Sequence, residues 1–335
     1  LLVTAHNASR DRDLHIRRLA GGAARHGRGD GDQPGDRLGE EPSGTMTPSV
    51  ALRLGRVSNL PTVWSNTLAG VALAGGQLWT QSTLWLAIGL SLLYVAGMFL
   101  NDAFDRDIDA LERPERPIPA GLVSANTVFA AGFGLMLAGL AFVLLASSHS
   151  GNESSAIAAA LALSAAIIFY DWHHKNNPLS PFFMGLCRVL AYLTAGLTIT
   201  AWPTAALLVA GVVVLSYLIG LTHTAKQEAL DRLESLWPLA FLAAPVLYGL
   251  VALPMQFSAI LFLILAGLVA WIAVALFYLK RRQKGDVPKA VISLIAGISI
   301  IDALFLASVG AMSGALVAVL CFCLTLALQR WVSGT

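Results

Sequence analysis

The chain has 335 residues, of which 56% are hydrophobic and 13% are charged, and its formal net charge is only +2. Its mean hydropathy is +0.69. These values exclude a soluble globular domain and give no sign of a basic nucleic-acid-binding surface. We therefore expect a polytopic membrane protein that contacts membrane lipids and has no nucleic-acid partner.

Residues 1–45 differ in composition from the rest of the chain. They contain seven arginines, seven acidic residues and many glycines, without apolar periodicity. This composition predicts a disordered N-terminal extension. Because Met46 stands shortly before the first apolar run, we interpret the extension as a segment upstream of the true start. A basic membrane-binding tail is the alternative, which the equal number of acids disfavours.

Apolar runs long enough to cross a hydrocarbon core recur through residues 46–335, the predicted transmembrane domain. About ten such runs can be drawn, at roughly 61–77, 83–100, 123–147, 154–170, 181–201, 203–222, 236–253, 256–279, 289–310 and 313–331. The fifth and sixth runs are so close that they are predicted to form a tight hairpin. The expected fold is an all-α membrane bundle of nine or ten transmembrane helices.

Among the loops between these runs, only alternate ones contain lysine or arginine. Because basic loops remain on the cytoplasmic side, the pattern predicts a cytoplasmic N-terminus and an inner (plasma) membrane location. The loops near 78–82, 148–154, 201–203, 253–256 and 311–313 contain no basic residue. The basic set includes Arg53, Arg56, Arg106, Arg113, Arg116, Lys175, Lys226, Arg232, Lys280, Arg281, Arg282, Lys284, Lys289 and Arg330.

An acidic motif closes the second apolar run, where unpaired charge would be very unfavourable. It contains Asn101, Asp102, Asp105 and Asp109. On one helix, the three aspartates fall at i, i+3 and i+7, so their carboxylates could converge. Mg²⁺ binds hard oxygen ligands and shares substrate phosphate oxygens, so we expect a metal diphosphate here. An ordinary acidic loop is the alternative, disfavoured because Asn101 and Asp102 directly follow the apolar helix.

A second polar cluster lies at the end of the fourth run. Asp171 could orient a histidine or pair with Lys175. His174 could remove a proton from an acceptor, although a polar anchor at the membrane surface is the stronger interpretation for one histidine.

Asp302 stands alone in a later apolar run and must face the bundle interior. A hydrogen bond to Asn66 or to a serine, or a role in acceptor binding, would explain it.

Two stretches of sequence together resemble the UbiA prenyltransferase superfamily. One is the Asn-Asp-x-x-Asp-x-x-x-Asp motif of 101–109, followed by Arg-Pro-Ile-Pro-Ala-Gly at 116–121. The other is the segment 56–66 that opens the first run. The resemblance covers roughly residues 46–310. Within the superfamily, 170–181 and 184–188 resemble the divergent EboC-like branch.

The resemblance implies a helical bundle around a central, lipid-open cavity that holds a prenyl diphosphate. Its first motif implies that Asp102, Asp105 and Asp109 bind Mg²⁺, with Asp171 and Lys175 also in the catalytic set. Members usually carry a second acidic motif after the sixth helix; here Glu228 and Asp231 remain as candidate metal ligands. Candidate ligands of the diphosphate are Asn101, Arg116, Lys175, Arg188 and Lys226.

This sequence departs from the family at two places. The second acidic motif is degraded, because Lys226 and Gln227 occupy positions where acids are expected. The family's Tyr-x-x-x-Lys element is displaced, because Tyr170 and Lys175 are five residues apart and His174 stands at the expected position.

The expected function is Mg²⁺-dependent ionisation of a polyprenyl diphosphate, with transfer of the prenyl group to an aromatic or other hydrophobic acceptor. A non-catalytic protein that binds or carries a lipid or hydrophobic precursor is the alternative, which the degraded second motif favours. Hydrolysis or cyclisation of the diphosphate is a third possibility. Protein partners are unknown at this point.

Overall fold

The computed structural model describes residues 46–175, 177–226, 237–256, 258–281, 283 and 285–332, and every regular element in this part of the chain is helical. The predicted N-terminal extension and the candidate ligands Glu228 and Asp231 lie outside the described residues. The α-helices are α1 Pro48–Leu54, α2 Leu60–Leu73, α3 Gln81–Phe104, α4 Arg106–Glu112, α5 Ala125–Ser147, α6 Glu153–His173, α7 Ser180–Leu197, α8 Ala205–Lys226, α9 Ala244–Met255, α10 Ala259–Arg281, α11 Asp286–Ser308 and α12 Met312–Leu328. Two 3₁₀ helices, Val57–Asn59 and Trp237–Ala243, precede α2 and α9.

Seven of the described helices are long and apolar enough to cross a membrane. They are α3, α5, α6, α7, α8, α10 and α11. Three shorter helices, α2, α9 and α12, occupy the remaining predicted runs, so each of the ten runs overlaps a helix. The membrane bundle is confirmed, whereas the number of crossings, nine or ten, stays a prediction.

Glycines allow α3 and α5 to pack with their backbones close together. A Cβ at Gly89 of α3 would lie 3.0 Å from the carbonyl oxygen of Gly139 on α5, and a Cβ at Gly139 would lie 2.9 Å from that of Gly89. Nearer the C-terminal end of α3, Gly132 of α5 faces Leu100. A Cβ at Gly132 would lie 2.9 Å from Cδ2 of Leu100. Small residues permit such close helix contacts in membranes. The contact fixes the end of α3, where the acidic motif begins.

Helix α11 forms the centre of the other half of the bundle. It is buried over almost its whole length and packs against α2, α10 and α12. Helix α2 in turn approaches α7 closely, because a Cβ at Gly70 would lie 2.6 Å from Cβ of Ala195. Helices α2, α7 and α11 therefore meet in the interior.

The C-terminal end of α12 contacts the residue before α2 at the same end of the bundle as the acidic motif. Gln329, which follows α12, donates from Nε2 to Oδ1 of Asn59, 3.0 Å away, directly before α2. Ser124 accepts a hydrogen bond from the backbone N–H of Thr127 at 3.1 Å and so caps the N-terminus of α5. Residues 113–124 therefore form the loop that leads from the motif back into the bundle.

Candidate active site

The acidic motif lies on two helices rather than on one. Helix α3 ends at Phe104 and α4 begins at Arg106, with Asp105 at the junction. The Arg106 guanidinium donates to the carbonyl oxygen of Ala103 at 3.3 Å, so a side chain takes up one of the carbonyl groups left at the helix end. The prediction of a single helical face is therefore wrong, because it assumed an unbroken helix through all three aspartates.

Asp102 and Asp109 share one arginine. Arg116 Nη1 lies 3.2 Å from Oδ1 of Asp102 and 2.7 Å from Oδ2 of Asp109. Arg56 Nη2 approaches the same Asp102 oxygen at 3.0 Å. Both aspartates are buried and both arginines are mostly buried. Charged hydrogen bonds between buried partners are among the stronger polar contacts in proteins.

Asp105 faces a different pair of cations. Its Oδ2 lies 3.3 Å from His174 Nε2 and 3.7 Å from Lys175 Nζ. The His174 ring stacks on Tyr170, with centroids 4.9 Å apart, and its Nδ1 lies 3.2 Å from the Tyr170 carbonyl oxygen. An oxygen atom therefore lies within about 3.3 Å of each ring nitrogen of His174. The displaced Tyr-x-x-x-Lys element thus brings both His174 and Lys175 to one carboxylate.

Asn101 connects the arginine pair to Asp171. Its Oδ1 accepts from Arg56 Nη2 at 3.2 Å, and its Nδ2 donates to Oδ1 of Asp171 at 3.2 Å. Oδ2 of Asp171 is buried and has no hydrogen-bond partner among the described residues. Within that part of the chain Asp171 pairs neither with Lys175 nor with a histidine side chain, so both predicted contacts are wrong. The amide of Asn101 orients it instead.

Arg56 is the residue of this site that the sequence-based set of site residues omits. It is the only described non-glycine residue with a positive φ, 41°. Such a backbone conformation is unfavourable for a side-chain-bearing residue and occurs where the surroundings enforce it. Burial lowers the pKa of its guanidinium, but the Asp102 carboxylate, together with Tyr94 and Asp171, raises that pKa above its ordinary value. Its position in the 56–66 segment that resembles the family was the available signal.

Two further candidate ligands of the diphosphate are Arg188 and Lys226. Arg188 donates from Nη1 and Nη2 to the carbonyl and hydroxyl oxygens of Thr62, both at 3.2 Å. It therefore binds α2 and makes no ion pair with the aspartates of the motif in the described chain. Lys226 is the last residue of α8. Its role, like those of Glu228 and Asp231, stays a prediction.

The chemistry of the carboxylates fits a divalent cation. Arg116 Nη1 touches one oxygen each of Asp102 and Asp109, so both oxygens are within reach of one positively charged centre. Carboxylate oxygens are the ligands that Mg²⁺ prefers. Among the described residues, however, no three acidic, histidine or cysteine side chains converge as a metal site. The acidic motif is held by cations of the chain itself.

Several proteins of known name are similar in sequence to part of this chain. The digeranylgeranylglyceryl phosphate synthase of Methanoculleus marisnigri is 31% identical over 134 residues, which are 40% of this chain and 46% of the relative. That of Haloquadratum walsbyi is 29% identical over 188 residues, or 56% and 62% of the two chains. The chloroplastic chlorophyll synthase of Oryza sativa subsp. japonica is 36% identical over 98 residues, or 28% and 26%. The chain thus spans 46% of the length of the first of these relatives.

Two solved structures share the fold. The apo structure of a UbiA homolog from Aeropyrum pernix K1 superposes with a TM-score of 0.60 and 18% identity, covering 75% of this chain and 97% of that one. A structure of digeranylgeranylglyceryl phosphate synthase in membranes gives a TM-score of 0.57 and 19% identity, with 79% and 98% coverage. The EboC-like branch stays a prediction. The UbiA prenyltransferase family model matches residues 63–295, more than half of the sequence, and the chain belongs to that family.

Proposed function

We propose that the protein is an intramembrane prenyltransferase that binds a polyprenyl diphosphate at the end of the bundle where α3, α4 and α6 meet. The observation that carries this proposal is the set of cations around the acidic motif. Arg56 and Arg116 contact Asp102, and His174 and Lys175 contact Asp105. Mixed acidic and basic side chains at one place suit a ligand that carries both phosphate oxygens and metal ions.

The reaction follows from the charge that develops on the leaving group. The bond between prenyl C1 and the diphosphate oxygen breaks, and the diphosphate leaves with the electron pair. The allylic carbon then forms a bond to the acceptor, and the acceptor loses a proton. When bound, Mg²⁺ neutralises the growing negative charge on the diphosphate.

The residues of the chain perform the remaining tasks. Arg116 and Arg56 can donate to diphosphate oxygens, Arg116 in a bidentate manner once its contacts to the two aspartates are released. His174 and Lys175 supply positive charge at the other side of the motif. Asp171 Oδ2 is the one oxygen of this network that is buried and without a partner in the described chain, so it is available to accept a proton or a hydrogen bond from a substrate.

The relatives give the order in which substrates should be tried. The name of one group of relatives contains the geranylgeranyl group, so geranylgeranyl diphosphate is the first choice, before farnesyl and geranyl diphosphates. The acceptor is expected to be hydrophobic, because it must reach the allylic carbon from the membrane. We further propose that the site faces the cytoplasm at the inner membrane, on the basis of the alternate basic loops.

The decisive experiment measures diphosphate release by the purified protein in detergent, with Mg²⁺ or with EDTA. We expect release that depends on Mg²⁺ and falls at least a hundredfold in Asp102→Asn and Asp105→Asn. Asp107→Asn is the matched control, because Asp107 lies on the same segment, is exposed and, among the described residues, makes an ion pair only with its neighbour Arg106, at 3.6 Å. Its activity should equal that of the wild type.

The same assay separates the enzyme from a carrier. Tight binding of the prenyl diphosphate without release, in folded protein supplied with extracts containing hydrophobic acceptors, would favour the non-catalytic alternative. Equal release by wild type and both variants would refute the assignment of the acidic motif to catalysis.

A further inference from the structure

Another polar cluster, separate from the acidic motif and from Asp171, lies in the bundle interior. Its centre is Asp302 of α11, whose exposed fraction is 0% and whose neighbours in sequence are apolar and buried. A carboxylate at such a position is very unfavourable unless its charge is compensated. The prediction that it bonds to a serine is confirmed, but a serine adds no charge.

Hydroxyl groups from three helices surround the Asp302 carboxylate. Ser65 of α2 donates from Oγ to Oδ2 at 2.5 Å, and the Tyr192 hydroxyl of α7 donates to Oδ1. Ser65 Oγ lies 3.0 Å from Oγ of Ser299, one turn before Asp302 on α11. Ser65, Tyr192 and Ser299 are each 0% exposed. Four oxygen-bearing side chains therefore meet in a volume closed to solvent.

Among the described residues, no cation lies within ion-pair distance of Asp302. On α7, the basic residue nearest in sequence to Tyr192 is Arg188, one turn before it. Both of its terminal nitrogens are used by Thr62, at 3.2 Å each. Arg188 therefore acts on Asp302 only from a distance. An ionised Asp302 would therefore leave a net charge of about −1 at the centre of the cluster.

Asn66, the residue after Ser65, supplies the second observation. It is 1% exposed, and neither Oδ1 nor Nδ2 of its amide has a hydrogen-bond partner in the described chain. The amide lies close to the Tyr192 hydroxyl but without the geometry of a hydrogen bond, which places it at the edge of the cluster. A buried amide left unpaired at both atoms is costly, and side chains of this kind normally have a ligand, a water or a protein partner.

We infer that this cluster is a sodium site formed by Asp302, Ser65, Ser299, Tyr192 and Asn66. The donor set is one carboxylate, neutral hydroxyl oxygens and an amide oxygen, all hard ligands. One monovalent cation cancels the single negative charge, whereas a divalent cation would leave an excess positive charge in the same apolar interior. A water molecule would satisfy hydrogen bonds but would leave the charge. The site shares no residue with the acidic motif and is independent of the proposed catalysis.

Sodium should stabilise the folded protein. At constant ionic strength and pH, with choline chloride as the replacement salt, the melting temperature in detergent should rise with the logarithm of the sodium concentration once the site begins to fill. Potassium should be less effective, because it is the larger ion and the oxygens of Ser65, Ser299 and Asp302 lie within hydrogen-bond distance of one another. The measurement requires no prenyl substrate, so its outcome does not depend on the proposed function.

Three variants and one control test the assignment. Asp302→Asn should abolish the sodium response and should melt at or above the wild-type temperature in choline, since it removes the uncompensated charge. Ser65→Ala and Asn66→Ala keep the carboxylate and should shift the response to at least tenfold higher sodium. Ser147→Ala of α5 removes an equally buried hydroxyl that, in the described chain, bonds only to backbone carbonyls, and its sodium response should match that of the wild type.

A wild-type melting temperature that is the same in sodium, potassium and choline would overturn the site and would mean that Asp302 holds a proton instead. An unaltered sodium response in both Asp302→Asn and Asn66→Ala would place the sodium effect elsewhere. Where Asp302→Asn fails to fold, the two conservative variants decide alone.

Discussion

Arg116 lies between Asp102 and Asp109, with Nη1 3.2 Å from Oδ1 of the first and 2.7 Å from Oδ2 of the second. One nitrogen of the chain thus occupies a position that suits a metal ion bound by the same two carboxylates. Metal and arginine would compete for these oxygens. If Asp102 and Asp109 held Mg²⁺ together with a diphosphate, the Arg116 guanidinium would be free to donate to phosphate oxygens, so one side chain would serve both states.

Replacing Arg116 by Gln should make the fold depend on divalent metal. Without the guanidinium, buried Asp109 loses its ion pair and Asp102 keeps only its contact with Arg56, so the protein should lose about 2 kcal/mol of unfolding free energy in EDTA. Mg²⁺ should restore more stability to Arg116→Gln than it adds to the wild type. Melting temperatures of both proteins in EDTA and in Mg²⁺ measure the difference.

Arg116→Lys is the corresponding control, since an ammonium group can still lie between the two carboxylates but cannot bind phosphate in a bidentate manner. It should keep most of the stability in EDTA and lose catalytic efficiency. An Arg116→Gln protein that melts like the wild type in EDTA would contradict the competition.

Arg56 should be needed for activity more than for the fold. Its Nη2 contacts both Asn101 Oδ1 and Asp102 Oδ1, so Arg56→Lys loses the planar geometry that serves the two at once. We expect kcat/KM to fall about ten- to a hundredfold, which corresponds to one or two charged hydrogen bonds. Arg53→Lys is the control, because Arg53 is exposed and, within the part of the chain that the structure describes, donates only to the carbonyl of Glu115, at 3.3 Å. Equal losses in both variants would mean a general charge effect.

The contact between α3 and α5 should tolerate no added methyl group at its closest point. In Gly89→Ala the new Cβ would lie 3.0 Å from the Gly139 carbonyl oxygen and 3.1 Å from the Val143 nitrogen, both backbone atoms. The helices must then separate, at a cost of about 1–3 kcal/mol in unfolding free energy. Gly134→Ala adds the same methyl group on α5 where no atom lies within 4 Å. Thermal unfolding should show a loss for the first variant and none for the second.

Features that depend on local composition could be predicted from the sequence, whereas contacts between residues far apart in the chain could not. Apolar runs of membrane length predicted the helices, because burial in hydrocarbon depends on local composition. Partners of the polar residues were harder to predict. Arg56 and Asp102 are 46 residues apart, and only the packing of α2 and α3 brings them together.

The errors have the same physical origin. Spacing at i, i+3 and i+7 predicts a shared face only while the helix continues, and the break at Asp105 turns this residue toward α6. Arg188, a candidate ligand of the diphosphate, donates to Thr62 on α2 instead of contacting the acidic motif, and its role in phosphate binding stays a prediction. Neither the helix break nor that pairing has a signature in local sequence.

His174 and Lys175 should substitute for each other only in part. Both approach the same oxygen of Asp105, at 3.3 and 3.7 Å, but His174 is the more buried and is held by stacking on Tyr170. His174→Gln should therefore reduce the rate of diphosphate release more than Lys175→Met, whose partly exposed ammonium group is screened by solvent. Because the two share one acceptor, the double variant should lose more activity than the sum of the two single effects in free energy, since only then is Asp105 left without a cation. Rates for the wild type, both single variants and the double variant form the cycle.

His173→Gln is the matched control, because His173 is exposed and contacts only aromatic rings of Phe169 and Trp172 in the described chain. Strict additivity would show that the two cations act on different groups and that Asp105 is not their common partner during the reaction.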